Sequence, residues 1–566
     1  MNRIFIFIYF SFTLSMVFSQ KEEDVAEMVT TAKREVEQTI RITNTPSIID
    51  TTIVYKIIEY PLLDIKYATK ITLEPIQAAN IRLNDSKLVK LYHGYIKAGL
   101  GSYIMPLGEL YYNNTRSRKY SYGINLKHIS AFGDLSRKEV PTLKLPTEFI
   151  NSSFSAFGGI TQLTYALKGN AYFSNYAINR YGSNSNVSII KSDLIEQRYK
   201  EAGASVEFLS SKMDSLKLNY LLNLSVYNRN DNKDNLLNYW GNENNIASHN
   251  SFWYRKGKEM FASDVSVQYN SFKSDTLLSN TIFTLKPSIT TFAKSNRLKA
   301  QIGMDINAVF AEKTSFAIYP IAELKCAFFD NLFIPYLGLT GGLKQQTFKS
   351  LSTQNPFIQS NPDLRNESTP YKLFLGIRGI LSKHMEFNFV THFSEIRNKA
   401  LFISDSSKAF KSRNQFLVIY DTLKVFSAEA SLSYQLVEKL KLDGIVRFFN
   451  YELNNNARAW NLPQYQIIFR GNYAVNDKLK LNLDFNGEGG RKSLVVDSIA
   501  GVKKEDNQYV KELGFILDIN LGIEYKYTKR ISAFLQFNNI ASQQYYRWSD
   551  YPVLGLQVMG GVTFKF

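Results

Sequence analysis

The chain ends in VLGLQVMGGVTFKF, residues 553–566, and the alternation of side chains in this stretch decides the fold. Val558, Val562 and Phe564 belong to one apolar set, and the residues between them are mostly polar or small. A side-chain period of two places the two sets on opposite faces of a β-strand. Chain ends usually fray. A strand that continues to Phe566 therefore predicts that the end of this chain is paired within a sheet.

The same alternation recurs from residue 91 onward. Clear examples are KLKLNLDFNGEG at residues 478–489 and LDINLGIEYKY at residues 517–527. Each such segment is about 10 residues long, which is the length of a tilted strand that crosses a bilayer. Alternation by itself also fits a water-soluble β-sandwich, because a sandwich strand likewise has one buried face.

The connections between the strands favour a membrane barrel over a sandwich. Short polar links recur at Phe329–Asn331 and at residues 382–384, 437–439, 475–477 and 528–530. Long connections alternate with them at residues 345–369, 399–417, 453–461 and 490–510. Short turns at one end and long loops at the other are typical of outer-membrane barrels, whose long loops lie outside the cell. Lipid tolerates no open sheet edge, so we expect the final strand to close the barrel against the first.

We therefore predict an all-β fold, a transmembrane antiparallel β-barrel of about 22 strands, with 20 as the alternative. Residues 1–19 read as a signal peptide, because Arg3 precedes the apolar run IFIFIYFSFTLSMVF. Residues 20–90 form a short N-terminal segment, either periplasmic or occluding the lumen, and residues 91–566 form the barrel. A disordered periplasmic tether is the alternative for residues 20–90. Export by a signal peptide predicts the outer membrane of a Gram-negative cell.

Composition argues against several other classes of protein. The formal net charge of +17 could suggest nucleic acid, but export makes a nucleic-acid partner improbable. The single Cys326 cannot form an internal disulfide. The histidines are scattered and lack the spacing of metal ligands: His93, His128, His249, His384 and His392. We predict no enzyme, no catalytic residues, no metal and no cofactor.

The last hairpin carries a family resemblance. Its residues are Asn538, Asn539 and Tyr545, then Tyr551, Pro552 and Gly555, and then the terminal strand. This arrangement resembles the last hairpin of TonB-dependent receptors, with Ser542 in place of the usual Asn and Leu556 in place of the usual Arg. The resemblance implies a barrel of 22 strands, the family's number, in the outer membrane, filled by an N-terminal plug domain. Residues 20–90 are too few for that plug.

The whole chain is similar to a plugless group of TonB-dependent receptor-like outer-membrane proteins of the Bacteroidetes type. The cues are YHGYIKAGLGSY at residues 92–103 and FIPYLGLTGGLKQQTF at residues 333–348. The resemblance implies passage or uptake of a bulky solute across the outer membrane. The alternative is a non-transporting barrel subunit that anchors an outer-membrane protein complex.

The expected partners follow from the same reading. They are outer-membrane lipid, the barrel assembly machinery and an outer-membrane or periplasmic protein. We expect the assembly machinery to recognise the terminal strand through its apolar face, Val558, Val562, Phe564 and Phe566.

Overall fold

The computed structural model describes residues 91–136, 144–182, 195–210, 217–231, 240–293, 297–405, 414–437, 439–495, 503–505 and 508–566. The described chain forms one closed antiparallel sheet of 22 strands, which confirms the predicted fold and the higher of the two strand numbers. The predicted signal peptide, residues 1–19, and the predicted N-terminal segment, residues 20–90, lie outside the described residues.

The barrel strands follow one another in chain order around the ring. Strands β1 to β8 are Gly94–Gly101, Met105–Asn113, Tyr120–Ala131, Phe149–Thr161, Tyr165–Asn179, Glu196–Ser210, Asn219–Asp231 and Asn242–Lys256. Strands β9 to β15 are Glu259–Lys273, Leu277–Ala293, Leu298–Phe310, Ser315–Cys326, Phe333–Lys344, Glu367–Ser382 and Met385–Ser404. Strands β16 to β22 are Phe416–Val437, Leu440–Leu453, Tyr465–Ala474, Leu479–Gly489, Ile516–Lys526, Ile531–Asn538 and Gln557–Lys565.

The first and last strands close the ring, as the terminal alternation predicted. β1 pairs with β22 from Tyr95 opposite Lys565 to Gly101 opposite Met559. The backbone of Phe566 continues this ladder, because its N–H donates to the carbonyl of Gly94 over 3.0 Å. A Cβ atom at Gly94 would lie 2.1 Å from the ring of Phe566, so the ring packs directly over this glycine at the seam.

The two faces of the sheet differ as the sequence pattern predicted. On β22, Val562 and Phe564 point outward and are 56 % and 40 % exposed, whereas Met559 and Thr563 point inward and are buried. Large apolar side chains are exposed in the same way on the outer face of many other strands. An apolar outer wall around a closed sheet is the surface that lipid covers in a membrane barrel. Among the described residues, no helix has the length and apolar character needed to cross a membrane.

The long connections lie at one end of the barrel, which we call the mouth. The other end carries short turns, including the 3₁₀ turn Phe329–Asn331 between β12 and β13. The connection between β13 and β14 contains a helix that the sequence pattern does not predict, α1, Phe348–Gln354. Its first turn is stabilised by a capping box, in which Thr347 and Ser350 exchange side-chain and backbone hydrogen bonds of 3.0 Å.

Two other predicted loops are partly strand. β15 runs to Ser404 and β16 begins at Phe416, so the predicted connection at residues 399–417 is shorter than expected. The predicted loop at residues 490–510 contains strands of a small separate sheet, Lys492–Val495, Lys503–Glu505 and Gln508–Glu512. Strands that extend beyond the lipid layer lose the apolar alternation, which explains why the periodicity did not reveal them.

Candidate functional site

The connection between β13 and β14, residues 345–366, folds into the barrel instead of projecting from it. We call this segment the lumen loop. Phe348, Leu351 and Ile358 are at most 1 % exposed, and Asn355 at the end of α1 is fully buried. For this long connection the sequence predicts a loop that is exposed outside the cell. The difference arises because its apolar residues pack against inward-facing side chains of distant strands.

The lumen loop is part of one apolar cluster, which we call the mouth core. Its buried members are Tyr199, Phe272, Phe348, Leu351, Phe357, Ile358, Ala400, Phe402, Phe416 and Tyr551. They come from β6, β9, β15 and β16, from the lumen loop and from the connection between β21 and β22. β6 and β16 lie on opposite sides of the ring, so the loop spans the lumen between them.

On one side the lumen loop is held by backbone pairing and aromatic packing, which we call the apolar anchor. The backbone N–H of Phe416 donates to Phe357 over 2.9 Å, and the N–H of Gln359 donates back to Phe416 over 3.0 Å. The ring of Phe357 stacks on Tyr551 with 3.8 Å between centroids. The backbone contacts form a short parallel bridge between Ile358 and Phe416, at the mouth end of β16.

On the other side, two carboxylates of the barrel wall hold α1, which we call the polar anchor. Glu243 on β8 is completely buried, and it accepts hydrogen bonds from the backbone N–H groups of Phe348 and Lys349 over 2.7 and 2.9 Å. Asn270 and Tyr227 donate further hydrogen bonds to the same carboxylate. A buried carboxylate needs such donors, because burial of an unpaired charge is costly.

Glu201 on β6 is the second carboxylate of the polar anchor. Its oxygens lie 2.5 Å from the ammonium nitrogen of Lys349 and 2.9 Å from the guanidinium of Arg229. The hydroxyl of Tyr172 donates to it over 2.7 Å. The side chain of Glu201 is only 5 % exposed, so this ion pair is well shielded from salt.

The inner wall toward the short-turn end has a different character. Lys168 and Glu207 form a 3.1 Å ion pair and are 57 % and 32 % exposed. Arg470 and Asp484 face each other across 3.7 Å and are similarly exposed. Exposed, paired charges on an inner wall are those of a water-filled lumen. Among the described residues, the inner wall is therefore polar at this end, whereas apolar side chains fill the mouth.

The structure places the predicted hairpin residues around the mouth. Asn538 ends β21 and pairs with Gln557 at the start of β22. Asn539, with a φ of 51°, donates from its side chain to the carbonyls of Gln543 and Leu554 over 2.9 Å each. The side-chain amide thus closes the base of the connection. Asn tolerates this left-handed backbone conformation better than most residues.

Other residues of the predicted hairpin join the site more directly. Tyr551 is 1 % exposed, and its hydroxyl donates to the carbonyl of Asn414. The carbonyl of Pro552 accepts a hydrogen bond from Tyr181 over 3.0 Å. Burial raises the pKa of Tyr545 to about 12, and its hydroxyl donates to Asp518. Gly555 lies at the base of the same connection, where a Cβ atom would approach Ser542 to 3.1 Å.

The predicted assembly residues form a separate region. Val558, Val562, Phe564 and Phe566 lie along the seam between β22 and its neighbours, and the last three are exposed on the outer wall. The structure does not bring them to the mouth core. The molecule thus has one outer seam and one inner site.

The residues of the polar anchor were not identified from the sequence. Phe348 and Glu243 are hydrogen-bonded although they lie 105 positions apart in the chain. Both carboxylates occupy inward positions of strands, where the alternation predicts an ordinary polar residue. The available local signal was the pair Thr347 and Ser350, whose spacing is compatible with a helix cap.

Metal chemistry has no visible basis in the described part of the chain, where no group of three or more His, Cys, Asp or Glu side chains could hold a metal ion. A cleft at the mouth has a volume of about 1010 Å³ and is lined in part by the lumen loop. Its lining is mixed: Asn280, Lys313, Arg365 and Arg397 contribute polar groups, and Leu277 and Leu364 contribute apolar ones.

The closed sheet, the apolar outer wall and the polar lumen define the class: a membrane-type β-barrel whose mouth is filled by its own loop. Solved structures share this fold. The FrpB iron transporter from Neisseria meningitidis (F3-3 variant) aligns with a TM-score of 0.65 and 10 % identity over 85 % of this chain and 82 % of that one.

Two further structures agree in fold. The copper transporter OprC aligns with a TM-score of 0.61 and 12 % identity over 84 % of this chain and 80 % of that one. The ferripyoverdine receptor of the outer membrane of Pseudomonas aeruginosa, bound to ferripyoverdine, aligns with a TM-score of 0.61 and 12 % identity over 84 % and 72 %. No family model matches the sequence, and no curated protein matches it. At these identities the likeness concerns the fold, and the fold expected from the resemblance to receptors is confirmed.

Proposed function

We propose that this protein is an outer-membrane barrel for the passage or uptake of a bulky solute, as the receptor-like last hairpin suggested. One observation carries the proposal: a wide polar lumen is blocked at one end by a loop rather than by the barrel wall. A barrel of about 22 strands encloses more space than its own side chains can fill. In this protein the lumen loop fills part of that space, and a loop can move without breaking the sheet.

The proposed orientation follows from the two ends of the barrel. The long connections and the mouth core face the outside of the cell, and the short turns and Phe566 face the periplasm, as in other outer-membrane barrels. A solute that enters from outside then meets the mouth core first. Displacement of the lumen loop would expose the charged inner wall near Lys168 and Glu207.

Trimming the lumen loop tests this proposal. Replacement of residues 348–359 by a short Gly-Ser linker should leave a folded barrel and increase the sensitivity of intact cells to vancomycin. The matched control replaces residues 311–314, which connect β11 and β12 at the same end without entering the mouth core. A trimmed barrel that folds, shows heat-modifiable migration and leaves the sensitivity unchanged would contradict passage through the lumen.

The second candidate is a barrel that anchors a protein complex and transports nothing. It is favoured by the dense packing of the mouth, where Trp460 is fully buried together with Leu401 and Val510 in a further apolar cluster. Packed loops form a firm surface for a partner. Purification from native membranes should distinguish the two functions. Co-purification of a stoichiometric protein partner supports the complex-anchoring function, and purification of the barrel alone contradicts it.

We also propose that the outer face of β22 is the signal for assembly into the membrane. Val562, Phe564 and Phe566 expose apolar surface beside the seam. A charge on the lipid face costs about 2–4 kcal/mol near the midplane and less toward the interface. Phe566→Asp should therefore reduce the amount of inserted barrel, measured by heat-modifiable migration, while Lys565→Gln on the inward set should not. Equal insertion of both variants would refute the proposal.

A further inference from the structure

The side chain of Lys349 lies in a cage built by the barrel wall. Its ammonium nitrogen is 2.5 Å from Glu201, 3.3 Å from the hydroxyl of Tyr172 and 4.3 Å from the centre of the Tyr227 ring. The ring of Tyr172 is 5.6 Å away. Aromatic faces and a carboxylate around one nitrogen are the combination that proteins use to recognise an organic cation.

The charges of the wall match a single cation. Without Lys349 the wall contributes two carboxylates, Glu201 and Glu243, and one guanidinium, Arg229, which already pairs with Glu201 over 2.9 Å. These three charges sum to one negative charge, which is opposite in sign to the ammonium of Lys349. All the wall groups belong to strands β5 to β8, so the cage persists when the loop moves away.

We propose that this cage, Tyr172, Glu201 and Tyr227, is a binding site for a primary ammonium group of a soluble ligand, and that Lys349 occupies it when no ligand is bound. The ligand class is a flexible organic amine, such as a polyamine or a lysine-rich peptide. The N–H groups of the cation distinguish a primary from a quaternary ammonium. Lys349 donates hydrogen bonds to Glu201 and Tyr172, and a quaternary ammonium has no N–H to donate.

A soluble ligand can reach the cage from the side on which the Lys349 side chain enters it. The side chain of Lys349 is 34 % exposed, whereas that of Glu201 is 5 % exposed. A competing ammonium can therefore reach the carboxylate along the path that the lysine occupies. Because Lys349 is also part of α1, its replacement by a ligand would remove one half of the polar anchor.

The next step rests on the proposed function, in which the lumen loop controls passage. An amine that displaces Lys349 then favours the displaced loop and so promotes its own entry. The binding step itself can be measured on the purified barrel without any passage.

The experiment measures spermidine binding to the full-length barrel in detergent by isothermal titration calorimetry. Lys349→Ala and Lys349→Met should each bind spermidine at least tenfold more tightly than the unmodified protein, because a tethered lysine competes at an effective concentration of about millimolar. The double variant Lys349→Ala with Glu201→Gln should lose this gain. Tetramethylammonium should bind no variant as tightly as spermidine does.

Lys168→Ala is the matched control. It frees Glu207 on the same inner wall, but that pair is exposed and lies outside the aromatic cage. The proposal is overturned if Lys349→Ala and Lys349→Met bind spermidine no better than Lys168→Ala does, or if tetramethylammonium binds equally well. Loop trimming distinguishes the two proposals. If the Lys349 variants bind spermidine tightly but the trimmed loop leaves vancomycin sensitivity unchanged, only the proposal of passage is refuted. If trimming raises the sensitivity but the Lys349 variants bind spermidine no better, only the proposal of the cage is refuted.

Discussion

The lumen loop is held on its two sides by different interactions. At the apolar anchor, Phe357 stacks on Tyr551 and pairs through its backbone with Phe416. At the polar anchor, Lys349 and the first turn of α1 meet Glu201 and Glu243. Water cannot substitute for aromatic contacts, whereas water or a solute cation can take the place of a hydrogen-bonding group. We therefore expect the apolar anchor to stabilise the packed loop and the polar anchor to be the side at which the loop is released.

The largest expected effect comes from weakening the apolar anchor. Phe357→Ala removes a buried ring from the mouth core, and such truncations cost about 3–5 kcal/mol. We expect the lumen loop to leave the mouth, so that protease cuts within residues 345–366 of the folded barrel and vancomycin sensitivity rises. Phe316→Ala is the control, because Phe316 is 75 % exposed at the same end of the barrel. Equal protease resistance of both variants would show that the mouth core does not hold the loop.

A smaller effect is expected at the polar anchor. Glu243→Gln keeps the shape but replaces one of the two accepting oxygens by an amide donor, which then faces the N–H of Phe348 or of Lys349, and a lost hydrogen bond to a charged group costs about 1.5–3 kcal/mol. Amide hydrogen exchange at these two residues should become faster while the strands stay protected. Glu207→Gln on the exposed part of the wall should leave the exchange unchanged. Slow exchange in both variants would remove Glu243 from the anchor.

The smallest effect concerns the connection between β21 and β22. Burial raises the pKa of Tyr545 to about 12. The neutral tyrosine therefore contributes stability to the packed connection that is fully present below pH 10, the ordinary pKa, and is lost as pH rises through about 12. Tyr545→Phe should remove the contribution of this residue and so reduce the alkaline transition, at a cost of about 0.5–1.5 kcal/mol for the missing hydrogen bond. Near-ultraviolet circular dichroism against pH measures it, and an identical transition in the variant would contradict the assignment.

The barrel could be predicted from the sequence because strand alternation is a local property. Val562 and Phe564 point outward and Thr563 points inward for reasons that a stretch of neighbouring residues already contains. Closure followed from the same strand, since an unpaired final strand in lipid is excluded.

The site inside the mouth could not be predicted in the same way. Glu201 and Glu243 look like ordinary inward polar residues, and their role depends on α1, which lies more than a hundred positions later in the chain. α1 is too short to show a helical period. Tyr551 was singled out by its resemblance to a hairpin motif, but its stacking on Phe357 follows only from the fold.

Side-specific labelling most directly tests the central claim, that the mouth core of the described residues closes the lumen at the end proposed to face the outside of the cell. Asn472 is exposed on the inner wall near the short-turn end, and Cys326 is the chain's single cysteine. In a Cys326→Ser background, Asn472→Cys should resist a bulky polyethylene-glycol maleimide on intact cells and react once the outer membrane is permeabilised. The further change Phe357→Ala should make the same position react on intact cells. Full labelling of Asn472→Cys on intact cells with the mouth core unaltered would contradict the account.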